Sequence, residues 1–195
     1  MNIQELLNST TGQQMVDGVA NQLGIEKGKA KSVVDTAVPL LFTALNKNAA
    51  EGDAPNIMKA LSKHDGSILN NVNGFLGAGD FSDGMGILGH LLGNKQSGVE
   101  NALEKSSGLS GAQITQVLAM LAPLVMGYLG KEKKSGSLDA GSLTSVLGNL
   151  IGGEKKSGNK DMGMLEQLLG GESSSGGGLM DIGGKILGGL LGGKK

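Results

Sequence analysis

The sequence predicts an all-α chain: a multihelical array built from two duplicated helical units, followed by a Gly-rich flexible C-terminal tail. Three observations carry this. Hydrophobic residues make up 38% of the chain and aromatics only 2% (Phe42, Phe75, Phe81 and Tyr128, with no Trp). A core of Leu, Ile, Val, Met and Ala suits helices better than sheets, which draw on aromatic and β-branched residues. The chain also repeats itself. Finally, many of its 36 glycines follow apolar pairs, where they act as helix stop signals.

The repeat organises the chain. A shift of 84 positions lays GIEKGKAKSVVDTAVPLLFTALN (24–46) on GLSGAQITQVLAMLAPLVMGYLG (108–130), so that Gly24 meets Gly108, Val33 meets Val117 and Pro39 meets Pro123. Upstream, Met15 and Val19 fall on Val99 and Leu103; downstream, DAPNIMKALSK (53–63) continues onto DAGSLTSVLGN (139–149). Each copy (roughly 12–63 and 96–150) reads as a short helix, a Gly turn, a long helix and another short helix. In the long helices Pro39 and Pro123 remove an amide donor and are expected to kink or end the helix. Ser110 and Gln113 have capping-box spacing, with Leu109 and Ile114 placed as a hydrophobic staple. The bridge 64–95 reads as turns up to about residue 86, its apolar residues tucked on the core. It then gives ILGHLLG, a short helix stopped by Gly93.

The domain division that follows is 1–150 for the duplicated helical domain and 151–195 for the tail. Residues 131–195 hold 18 of the glycines, in linker-like runs such as KEKKSGS and GESSSGGG. Two short apolar pieces, 161–170 and 179–191, stand between them as docking segments too short to form stable helices alone.

Composition bears on function. The net charge is −1 and all 17 basic residues are lysine. Without arginine's bidentate fork, nucleotide, phosphoryl-transfer and sequence-specific DNA functions are disfavoured. Without cysteine there is no disulfide, thiol chemistry or Cys-ligated zinc. The N-terminus has neither a basic nor an apolar signal region. The uncharged stretch 106–130 is diluted by polar residues and by Pro123, and its helical apolar spacing fits a buried core helix better than a membrane span. A cytoplasmic protein is expected.

Residues 16–34 have the outline of a helix-turn-helix, which would place Lys27, Lys29 and Lys31 early on a recognition helix. Against DNA binding, the second copy carries Gly111, Gln113 and Thr115 at those places. The two histidines, His64 and His90, have no metal-ligand spacing, and GDFSDG fits no calcium loop. His90 reads as a helix-terminal residue bonding late carbonyls. Metal binding or catalysis would need both histidines to converge with acidic residues. The serines form no nucleophile elbow and the glycines no phosphate loop. The closing ILGGLLGGKK could touch a membrane surface weakly, but docking on protein is the favoured reading.

GILGHLLG, followed by VENALEKSSGLSGAQITQVLAMLAPLVMGYLGK, resembles the bacterial domain-of-unknown-function family 937, which includes the YidB-like proteins. The likeness covers about 1–150. It implies a multihelical bacterial protein with no assigned activity, cofactor or catalytic residue. His90, Gly93, Gly108, Pro39 and Pro123 match family positions without an attached role. Together these readings predict a non-enzymatic interaction or self-assembly protein with no cofactor and a protein partner, which would include a second copy of itself. DNA binding and weak membrane association are the alternatives.

Overall fold

A computed structural model describes residues 2–152; the tail pieces 161–170 and 179–191 lie outside the described residues. Those residues form an all-α multihelical array. Asn2 starts α1 (Ile3–Asn8) with a capping box: its side chain accepts from the Glu5 amide at 2.9 Å, and the Glu5 carboxylate accepts from the Asn2 amide at 3.1 Å. Ser9 then caps α2 (Thr10–Leu23), which ends at Gly24 with a φ of 62°. That left-handed residue turns the chain into α3 (Lys27–Asn48).

Pro39 does not end α3, and Pro123 does not end its counterpart, because each sits in a helix half that is buried all round. Valines and leucines on both sides of Pro39 are fully enclosed. Their burial, at about 1.5–3 kcal/mol per side chain, outweighs the roughly 3 kcal/mol cost of an internal proline. A wide turn, Ala49–Asp53, with Gly52 at φ 103°, leads into α4 (Ala54–Leu61).

The bridge is more helical than its turn-rich composition predicts. After a tight turn at Ser67–Asn71, Asn71 caps α5 (Val72–Ala78) through the Gly74 amide. Then comes α6 (Ser82–Leu92), with Asp80 accepting from the Ser82 amide and hydroxyl ahead of it. Asn71, read as a turn former, here caps a helix, while Asp80 makes a turn that leads into one.

Gly93 closes α6 as expected, and α7 (Gln96–Ser107) ends at Gly108 in the left-handed region, with φ 68°. The predicted Ser110–Gln113 capping box opens α8 (Gly111–Lys134), and Leu109 and Ile114 are both buried beside it. The last described helix is α9 (Leu143–Gly152).

Helix α8 is the axis of the fold. Nearly every residue from Ile114 to Gly130 is buried, as expected of a helix that is apolar all round. It is long and apolar enough to cross a membrane, yet 78% of its most apolar window is enclosed by the protein. It packs against α3, and α4, α6 and α7 lie on it, while α9 packs on α3. Among the described residues Met85 is the one large hydrophobic side chain left exposed, at 46%.

Candidate functional site

Two helices on α8 leave a groove between them. Helix α6 sits tightly because of Gly84: a Cβ there would lie 1.8 Å from the Ala119 carbonyl oxygen of α8. Gly130 of α8 does the same for the turn after α4, where a Cβ would lie 1.5 Å from the His64 carbonyl oxygen. Lys133 ties the end of α4 to α8 by donating to the Met58 carbonyl (2.6 Å) and to the Ser62 hydroxyl, a cation placed at a helix C-terminus. At the other end Asn48 Nδ2 donates to the Leu91 carbonyl at 3.1 Å, holding the last turn of α6 to α3.

So fixed, α4 and α6 run antiparallel, with a histidine and an aspartate facing each other at both ends. Asp53, just before α4, meets His90 in the last turn of α6, with Oδ2 and Nε2 2.7 Å apart. His64, just after α4, faces Asp83 in the first turn of α6 at 3.8 Å. A carboxylate only accepts, so Nε2 of His90 carries the proton and donates. Burial pushes the Asp53 carboxyl up. The hydrogen bond from Asn56, then that from His90 and its charge, outweigh it and leave the carboxyl below its ordinary range.

The space between encloses about 350 Å³, the size of a small-ligand or peptide side-chain pocket. Leu45, Leu91 and Met126 form its apolar floor. Asp83, Gly86, Ile87 and His90 line one wall, at the i, i+3, i+4, i+7 spacing of a single helix face. Ile57 and Ala60 line the other, with Lys59 and Lys63 at the rim. Neither lysine has an ion-pair partner among the described residues.

The two histidines therefore share one groove, which their sequence spacing did not foretell. His64 is largely buried, with 15% of its side chain exposed, and His90 is open at 58%. His90 spends Nε2 on a carboxylate from the neighbouring segment, in place of the expected late carbonyls of its own helix. Among the described residues no three His, Asp or Glu side chains converge to hold a metal ion. Sequence reasoning missed Asp53, Lys59 and Lys63. The one-face spacing from Asp83 to His90 was legible; the pairing across 37 positions was not.

The predicted recognition lysines lie elsewhere. Lys27 is paired with Asp17 across the α2–α3 turn, and Lys31 with Asp35 at 2.6 Å one turn on. Lys29 alone stands exposed with no ion pair among the described residues. A phosphate backbone attracts uncompensated cations, and two of these three are compensated. The structural positions named from sequence fall at the joints: Gly24, Gly93 and Gly108 end helices, while Pro39 and Pro123 are enclosed.

An all-α array around one central apolar helix, with a histidine-clasped groove and no convergent metal ligands among its described residues, defines the class. The chain belongs to the family described as "Bacterial protein of unknown function (DUF937)", whose model matches residues 5–132, about two thirds of its length. No curated protein and no solved structure matches it.

Proposed function

We propose that this is a non-enzymatic interaction protein whose docking surface is the α4–α6 groove, and that its ligand is an amphipathic protein segment flanked by acidic residues. The observation that carries the reading is the groove itself: an apolar floor between walls that carry Ile57 and Ile87, with Lys59 and Lys63 at the rim and without an ion-pair partner among the described residues. Helical ligands commonly lay an apolar stripe into such grooves, and rim charges set their orientation and encounter rate. The apolar faces of the two long helices α3 and α8 are buried in the core, which leaves docking to surface clefts such as this groove.

The reading includes a duplicated origin for the unit. Gly24 and Gly108 cap the helices before α3 and α8, and Ile57 and Leu61 of α4 align with the equally buried Leu143 and Leu147 of α9. The packing is reciprocal: α4 lies on α8 while α9 lies on α3. We place the domain boundary near residue 150 and the protein in the cytoplasm.

Fluorescence anisotropy with two labelled amphipathic helical peptides of equal hydrophobicity tests the function. The acid-flanked peptide is expected to bind the full chain at least ten-fold more tightly than the lysine-flanked one. Equal affinity, or no binding of either, would overturn the reading.

A further inference from the structure

We propose that the groove is occupied in cis by residues 161–170 of this same chain, DMGMLEQLLG, which would make the tail a built-in competitor for any external ligand. The inference rests on the groove being a docking surface. It adds the occupant.

Charge selects the segment. Two apolar pieces lie in the tail, 161–170 and 179–191. The first carries Asp161 and Glu166, with Lys160 just before it and Glu172 just after; the second carries Asp181 and Lys185, with Lys194 and Lys195 just after it. The groove presents Lys59 and Lys63 without carboxylate partners among the described residues, a pair of cations against the single lining carboxylate of Asp83. Like charges facing each other across an interface are disfavoured, so the lysine-flanked piece is disfavoured where the more acidic one is attracted.

Pattern fits as well. Wound as a helix, Met162, Leu165, Leu168 and Leu169 recur at i, i+3, i+6 and i+7, one apolar stripe. That stripe matches a floor of Leu45, Leu91 and Met126 between walls at Ile57 and Ile87.

Reach permits it. Eight residues, 153–160, join α9 to the segment and span at most about 29 Å extended. Helix α9 packs on α3 and on the Ala49–Asp53 turn, the turn that delivers Asp53 to one end of the groove. A linker this short gives an effective concentration of order mM, so a weak individual affinity is enough for occupancy.

The chain has no cysteine, which makes site-directed spin labelling clean. The full chain is labelled at Met164→Cys, and methyl signals of Ile57, Ile87 and Met126 are read by NMR. Expected is broadening of those methyls to under half intensity, and none from a label at Asp181→Cys. The effect should vanish in Lys59→Glu/Lys63→Glu and return when Asp161→Lys/Glu166→Lys is added. All four positions are charged and polar, so folding is preserved and far-ultraviolet circular dichroism confirms it.

Mixing labelled chain with isotope-enriched unlabelled chain separates the sources: broadening in the mixture means a second copy fills the groove and overturns the cis assignment. Absence of broadening from Met164→Cys also overturns it. If the external acid-flanked peptide still binds in that case, the docking reading stands and only the occupant is wrong; if neither occurs, both fall.

Discussion

Asp53 and His90, separated by 37 residues, meet at 2.7 Å and close one end of the groove, while His64 and Asp83 face each other at 3.8 Å at the other. The first pair contributes geometry more than stability. More than half of the His90 side chain is exposed, and exposed ion pairs are worth about 0–1 kcal/mol.

Asp53→Asn should therefore cost no more than about 1 kcal/mol at pH 7 by urea denaturation. Its pH dependence has a definite sign. A carboxyl held below its ordinary range adds stability above its unfolded pKa of about 3.9, and that stability is lost as pH falls through the folded value. The gap between wild type and Asp53→Asn should narrow below about pH 4. A gap that is unchanged or wider at pH 3 would contradict the assignment.

Gly84 and Gly130 hold the helices that frame the groove. Either glycine changed to alanine puts a methyl inside van der Waals distance of a backbone carbonyl. Each is expected to destabilise by about 1–3 kcal/mol or more, since backbone cannot step aside as a flexible side chain would. Gly86→Ala, on the same helix with open space around its Cβ position, should be neutral or slightly stabilising. Thermal unfolding of the three variants separates close packing from helix propensity.

Tyr128 is the single tyrosine, buried edge-on against Phe42 at a ring separation of 5.9 Å. Burial, followed by the charges of Glu132 and Glu5, pushes its hydroxyl up to about 12. Ultraviolet titration should show no tyrosinate near pH 10. The neutral form is favoured in the fold, so the stability it adds is complete below the unfolded pKa of about 10 and declines as pH rises toward the folded value. An absorbance midpoint near 10 in the folded chain would refute this.

How much of this was legible depends on whether a residue's partner was near in sequence. Helix α8 could be read outright, because Ser110 and Gln113 lie three apart and its apolar run is continuous. The Asn2–Glu5 box of α1 has the same spacing and is equally local. Of the two outcomes expected at Pro39 and Pro123, a kink or a helix end, the end does not occur, because burial around each proline offsets its local cost. In the bridge, Asn71 and Asp80 looked like turn formers, and only packing on α2 and α8 turns the segments after them into helices. The groove was least legible. His90 was singled out, but Asp53 is brought to it by the wide turn at Gly52, a tertiary consequence with no local signature.

The central claim is that this groove receives an acid-flanked amphipathic segment. Methyl-resolved NMR of the full chain, titrated with such a peptide, tests it most directly. Saturable shifts at Ile57, Ile87 and Met126 that disappear in Lys59→Glu/Lys63→Glu are the result predicted. Groove methyls that stay still while the peptide is present in excess, or shifts that map to the α2–α3 turn instead, would contradict it.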